Sequence, residues 1–345
     1  MPIIHHLIVD QFGAFVGKHS GRLRVTHQKD GKAEMLAEAP ILHLEQVLIT
    51  GNGVSLSSDA VLACCEEGIP IYFLSSSGRP YAALYSSGLT GTVQTRRAQL
   101  MAYDDTRSLT LARAFASGKI ENQAAFLRYV AKYRKETAPD LYRELCRTAD
   151  EMRANLADLD HLEGTTVDEV RSQVLAIEGR AAQAYWAALQ RTVSAEYNWP
   201  GRLGRGAKDP VNSALNYGYG ILYGQIERAI VLAGLDPYAG FIHVDRPGKP
   251  SLVLDLIEEF RVAAVDRVVF GLVGKGVNFE QDEQGLLKED TRRMLAENVL
   301  ERLEKPEKYQ GKRHLLRAII QMQARHLATF VRGDRPAYQP FIVKW

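Results

Sequence analysis

The sequence predicts an α+β protein in which a β-rich domain, residues 1–88, is joined to a larger all-α domain, residues 94–345. Three observations carry this reading. Short apolar and β-branched runs separated by Gly, Ser, Asn and Asp fill the first part, whereas apolar residues at spacings of three and four fill the rest. Charge changes with pattern: residues 1–93 hold 6 Lys+Arg against 8 Asp+Glu, and residues 94–345 hold 37 against 33. The chain has 345 residues, enough for two cores at roughly 150 residues each.

The strands are expected at Ile3 to Val9, Leu23 to Thr26, Gln46 to Ile49, Pro70 to Leu74 and Tyr81 to Tyr85. Asp30-Gly31 suits a hairpin turn, and Gly51-Asn52-Gly53 requires backbone angles that glycine supplies. One helix interrupts the strands, from a Ser57-Ser58-Asp59 cap through Val61, Leu62 and Cys65 to a stop at Gly68. Tyr85-Ser86-Ser87-Gly88-Leu89-Thr90-Gly91 reads as the linker. Beyond it, Leu109, Ala112, Phe115 and Ala116, then Ala125, Leu127, Tyr129 and Val130, begin the helical part. Further helices are expected near Asp140–Leu159, Val167–Thr192, Pro210–Ala233, Leu252–Phe260, Lys288–Leu303 and Lys312–Val331. Asn198–Asp209 and Gly271–Gln284 are the least regular stretches.

Composition removes several classes of protein. Charged residues at 24% and hydrophobic residues at 46% are ordinary for a folded soluble chain. Three cysteines, two of them adjacent, make no disulfide framework and point to a reducing, cytoplasmic setting. The first residues lack the pattern of a secretory signal, and no apolar run approaches ~18 residues, so no membrane role is expected. No Gly-x-x-x-x-Gly-Lys loop, Cys-x-x-Cys pair, His-Glu-x-x-His motif or Gly-x-Ser-x-Gly elbow occurs.

Glu178 lies mid-helix among small and apolar residues, where an acid needs a partner. Alone, it reads as a solvent-facing or salt-bridged helix acid. The adjacent Gly179 costs a helix ~1 kcal/mol relative to Ala, which points to a packing or close-approach reason. His243 sits in the apolar run Gly240-Phe241-Ile242-His243-Val244, and a satisfied core histidine is the alternative there. After it, Ser251 is placed to cap a helix on which Asp255 and Glu258 share a face. Two like charges amid Leu252, Leu254, Leu256 and Ile257 call for a cation between them and His243. Two carboxylates and an imidazole suit Mg2+ or Mn2+, which would activate a nucleophile at a phosphodiester.

Arg202, Arg205 and Lys208, followed by Asn212, Asn216, Tyr217, Tyr219 and Tyr223, combine cations, amides and aromatic rings. That composition suits DNA, because cations hold phosphates and rings stack on unpaired bases. It equally describes a solvated loop followed by a tyrosine-rich packing helix. The loop after His243 adds Arg246 and Lys249.

Together these segments resemble the CRISPR-associated integrase family, the metal-dependent DNA endonucleases that capture new spacers. The resemblance spans nearly the whole chain. It rests on Asp10-x-Phe12-Gly13, Gly118-Lys119-Ile120-x-Asn122-Gln123, Leu175 to Trp186 around Glu178, Asp209-Pro210-Val211-Asn212 through Tyr219, and Gly240 to His243 followed by Ser251 to Arg261. It implies metal ligands at Glu178, His243 and Glu258, with Asp255 supporting them and His243 able to shuttle a proton if uncoordinated. The third ligand is Glu258 where the family often has Asp, and the loop before Asp209 is poorer in proline than usual. The resemblance further implies a dimerising β domain and a catalytic α domain. Two homodimers would flank a dimer of a small ferredoxin-like subunit in a heterohexamer. The reaction implied is attack of a DNA 3′-hydroxyl on a phosphodiester of the CRISPR repeat, with nicking of branched or single-stranded DNA as the same chemistry run with water. Two other readings compete: a non-catalytic DNA-binding scaffold whose acids form salt bridges, and a hydrolase of small phosphorylated substrates, for which DNA binding and its steep salt dependence would be absent.

Overall fold

The structure, a computed structural model, describes residues 4–29, 31–85, 93–204 and 206–345. Asp30, residues 86–91 of the expected linker, and Arg205 lie outside the described residues. The fold is α+β, with strands leading and helices following. Strands β1 (His6–Val9), β2 (Phe15–His19), β3 (Arg22–Lys29), β4 (Lys32–Pro40), β5 (Gln46–Ile49) and β6 (Ser55–Leu56) precede helix α1 (Ser58–Glu66); β7 (Ile71–Leu74) and β8 (Pro80–Leu84) follow it. They form two four-stranded sheets, ordered β1-β5-β7-β8 and β4-β3-β2-β6.

Alternation explains how the first sheet joins two cores. On β5, Val47 and Ile49 pack with Leu7, Val9, Leu23 and Val25, while Leu48 between them faces the helices. On β7, Ile71 belongs to the first core and Tyr72 and Leu74 to the second. A strand covered on both faces reads as a continuous apolar run, which is why β5 and β7 were legible in the sequence. The predicted hairpin is present as β3–β4, with Lys29 opposite Lys32 and Gly31 at φ +76°. Ser57 caps α1 by accepting the Ala60 N–H, and Gly68, at φ +66°, follows its end.

The helical part comprises α2 (Val93–Tyr103), α3 (Thr106–Lys132), α4 (Pro139–Asp160), α5 (Val167–Gln190), α6 (Pro210–Leu232), α7 (Ser251–Ile257), α8 (Arg267–Val273), α9 (Glu289–Leu303) and α10 (Leu316–Val331). Three expectations are corrected. Lys312 does not begin the last helix: β9 (Pro306–Tyr309) and β10 (Lys312–Leu315) make a ribbon, so this part is not entirely α. Gln310 and Gly311 both adopt left-handed angles, +46° and +81°, the geometry of a tight two-residue hairpin turn. Gly271 is helical, since a π-helical turn at Val262–Asp266 runs into α8. Ser251 is the first residue of α7 rather than its cap.

Helix α6 is seated on the first sheet by contacts that exclude side chains. A Cβ on Gly220 would lie 1.4 Å from the Gly78 carbonyl oxygen, and one on Gly78 would lie 2.4 Å from Tyr217 Cα. The β7–β8 turn therefore rests directly on the helix backbone. Gly220→Ala should cost about 3 kcal/mol, measured as a lower urea midpoint with an unchanged slope.

Candidate active site

Three helices carry carboxylates and a cation to one point. Helix α3 supplies Lys119, α5 supplies Glu178, and the turn ending α7 supplies Glu258. The Lys119 ammonium bonds Glu178 Oε1 and stands 2.8 Å from Glu258 Oε2. Arg261 Nε lies 3.3 Å from the other Glu258 oxygen. Glu258 is almost fully buried, and burial pushes its carboxyl up, but Arg261 and Lys119, with His243, outweigh it and hold the pKa at about 2. Burial opposes the charge on Lys119, yet Glu258 and Glu178 together raise its pKa.

Asp255 performs a different task. Its carboxylate is fully buried and accepts the backbone N–H groups of Phe241 (2.6 Å), Ile242 (3.1 Å) and His243 (3.0 Å). It also lies 2.7 Å from His243 Nδ1. A carboxylate only accepts, so Nδ1 donates in this contact and Nε2 is the ring nitrogen left for another partner. Ser251 ties down the same loop, accepting the Gly240 N–H and sharing its one hydroxyl hydrogen between the Tyr238 carbonyl and Asp245. The expected repulsion between Asp255 and Glu258 is thus relieved separately: by N–H donors at Asp255 and by cations at Glu258.

Behind the site, Asn122 donates to the Glu259 and Phe341 carbonyls and accepts the Val343 N–H, each at 2.8 Å. The Glu259 carboxylate accepts from Phe341 N–H and Gln323, and burial lifts its pKa to about 7 against these bonds. The C-terminal segment is therefore strapped to the turn that bears Glu258. A Cβ on Gly118 would meet Pro340 of that strap at 2.7 Å, which accounts for glycine beside Lys119.

A family model described as CRISPR associated protein Cas1 matches residues 7–301, a span containing every residue of this cluster. The chain belongs to the Cas1 family. It is 40% identical over 350 residues to "CRISPR-associated endonuclease Cas1 1" of Archaeoglobus fulgidus, covering 98% of this chain and 99% of the relative. Its identity to "CRISPR-associated endonuclease Cas1 1" of Francisella tularensis subsp. novicida is 36% over 340 residues, covering 99% of each. Among solved structures, the fold matches "Casposase bound to integration product" with TM-score 0.80 at 23% identity, over 97% of this chain and 93% of that one. It also matches "Cas6-RT-Cas1--Cas2 complex" with TM-score 0.76 at 20% identity, over 98% of this chain and 36% of that one.

Within this Cas1 chain the other predicted site residues fall into two groups. Lys208 and Arg246 are exposed, and Lys249 is half-buried beside Arg246 in the loop after His243. Asn212 and Tyr217, by contrast, are buried at 0% and 1% exposure. Asn212 accepts the Leu203 N–H and donates to the Gly201 carbonyl, fixing the loop before α6, and Tyr217 lies under Gly78. Neither offers a free face to a nucleic acid. Arg202 bonds Asn212 and Asn216, and its guanidinium lies 5.8 Å from the Trp186 ring and 5.4 Å from that of Tyr219, so its aromatic partners are the protein's own. Arg261 covers Tyr219 from 4.8 Å. Gly179 has no heavy atom within 4 Å of a built Cβ, so its expected packing partner is absent among the described residues.

Sequence reasoning did not single out Lys119 or Arg261 as partners of the acids. Lys119 was legible only as part of its motif; Arg261 stands one turn after Glu258, an i,i+3 signal. Among the described residues, one group has three ligand atoms within 4.8 Å of one another: His6, Glu45 and Glu304. There Arg317 already bridges the carboxylates, at 2.9 Å from Glu45 and 2.7 Å from Glu304. Glu178, His243 and Glu258 do not close within that distance, and the Lys119 ammonium contacts both acids.

The depressed Glu258 pKa fixes a pH dependence. Its charged form is favoured in the folded state, so its contribution is present above about 4.5 and is lost as pH falls toward about 2. Urea titrations in EDTA should show stability falling across that window by on the order of 3 kcal/mol more in the parent than in Glu258→Gln.

Proposed function

We propose that this Cas1 protein is a divalent-metal-dependent DNA endonuclease and integrase of CRISPR adaptation, with Glu178, His243 and Glu258 as the metal ligands. The observation that carries the reading is the convergence of two carboxylates from separate helices on one cation, beside an imidazole presented through Nε2. The donor set fits a hard divalent ion, Mg2+ or Mn2+: two carboxylates and one nitrogen leave positions for water and phosphate oxygens. Such an ion, when bound, lowers the pKa of a hydroxyl or water nucleophile and offsets charge building on a phosphodiester.

The chain's own residues prepare that chemistry. Asp255 fixes the imidazole tautomer and aims it, and through three backbone N–H bonds it holds the whole 241–243 turn in place. Arg261 keeps Glu258 ionised in a nearly dry setting. Lys208, Arg246 and Lys249, on loops flanking the cluster in sequence, supply the charge to hold a DNA backbone, and Arg205 is assigned the same role from the sequence. Arg202, Asn212 and Tyr217 enter as positioning residues that shape the 198–209 loop for that contact.

The proposed substrates are a captured fragment whose 3′-hydroxyl attacks the CRISPR repeat, and branched or partly single-stranded DNA that is nicked. The β domain, residues 1–88, is proposed to form the homodimer, and residues 94–345 the catalytic unit. The proposed partner is a small ferredoxin-like subunit, assembled with two homodimers in a heterohexamer; the Cas2 named in the matching "Cas6-RT-Cas1--Cas2 complex" supports a second Cas protein as that partner. No described helix is long and apolar enough to cross a membrane.

Incubating the purified protein with a branched duplex and Mn2+ or Mg2+ should give nicked or joined strands. EDTA, His243→Ala, Glu178→Gln and Glu258→Gln should each lower the rate at least about 100-fold while circular dichroism is unchanged. DNA binding should weaken steeply between 50 and 200 mM salt, on the order of a decade or more. A folded protein that binds DNA but is inert with either metal, and inert with the small partner added, would instead establish the scaffold.

A further inference from the structure

We propose that the Lys119 ammonium is a built-in competitor for the divalent cation: it occupies the cation position between Glu178 and Glu258 and must leave when metal binds. The inference rests on the metal-site reading above and adds a residue and a direction to it.

Charge and geometry both argue for displacement. Lys119 contacts both acids, with Glu258 Oε2 at 2.8 Å and Glu178 Oε1 also bonded. A divalent ion ligated by those carboxylates would face an ammonium at van der Waals range with no solvent between them, because the Lys119 and Glu178 side chains are each only 13% exposed and that of Glu258 only 5%. A like charge so placed disfavours the arriving cation just as it disfavours a second proton. Glu258 Oε2 is buried and makes no hydrogen bond of good geometry, so the ammonium neutralises this oxygen without saturating it. A metal can therefore take that lone pair.

The lysine can move: its four-carbon stem is flexible, whereas the planar Arg261 guanidinium is seated on an aromatic face. Arg261 is held over the Tyr219 ring and stays to balance Glu258. The consequence is a site that is electrically balanced without metal, so two acids remain side by side in a stable fold, at the expense of metal affinity.

The test uses the full-length protein and Mn2+ alone. Binding is measured by calorimetry or by loss of the free-ion electron paramagnetic resonance signal, for the parent, Lys119→Met and Glu178→Gln. Lys119→Met should bind Mn2+ about 10-fold tighter or more than the parent. It should also gain more in Tm from saturating Mn2+. Equal or weaker binding by a folded Lys119→Met overturns the proposal. A second measurement needs no variant. Acylation of the parent by an N-hydroxysuccinimide ester, read by peptide mass spectrometry with the exposed Lys308 and Lys312 as internal references, should label Lys119 several-fold more with Mn2+ than with EDTA. Unchanged labelling of Lys119 while Mn2+ binds overturns the proposal even if Lys119→Met fails to fold. Mn2+ binding that is indifferent to Glu178→Gln would show that the metal lies elsewhere, which removes the functional reading itself and is distinguishable from failure of the competition alone.

Discussion

Two carboxylates taken out of water on different helices must be given positive charge, and this requirement organises the structure around Glu178 and Glu258. Lys119 from α3 and Arg261 from the end of the α7 turn meet it. Each element that positions these groups is itself fixed. Gly118 lets the C-terminal strap pass close to α3, Asn122 and Glu259 hold the strap, and Asp255 locks the His243 turn to α7. The sheet enters through α6, whose Gly220 accepts the β7–β8 turn and whose Tyr219 ring lies against Arg261. The cluster is therefore the meeting point of α3, α5 and α7, not an ornament on one of them.

Much of this was legible because it depends on residue type and order. The buried strands β5 and β7 read directly as apolar runs, and the helices α4, α5, α6 and α9 follow the expected boundaries within a few residues. Strand β2 was missed because it is largely exposed and lacks an apolar alternation, β4 was legible only as the polar strand after the Asp30-Gly31 turn, and the β9–β10 ribbon was missed because its turn is Gln310-Gly311 rather than Asn-Gly. The acids and the histidine stood out by their awkward placement among apolar neighbours, and their assignment as ligands came from the family resemblance. Their cations did not stand out, because Lys119 and Glu178 are 59 residues apart and no local pattern reports a pairing at that range.

The segment 202–223 shows the limit of composition as a guide. Its cations, amides and rings are as expected, yet Arg202 stacks on Trp186 and Tyr219, Asn212 closes a loop, and Tyr217 is core. Cation–aromatic contact satisfied within the chain leaves the same sequence signature as contact awaiting a base. Burial separates the two, and it puts the free positive charge on Lys208 and on the loop after His243.

The most direct test of the central claim is the position of a bound ion. Crystals of the protein soaked in Mn2+ should give an anomalous-difference peak bounded by a Glu178 oxygen, His243 Nε2 and a Glu258 oxygen. A peak only at His6, Glu45 and Glu304, or Lys119 still between the two acids in crystals where Mn2+ binds elsewhere, would contradict it.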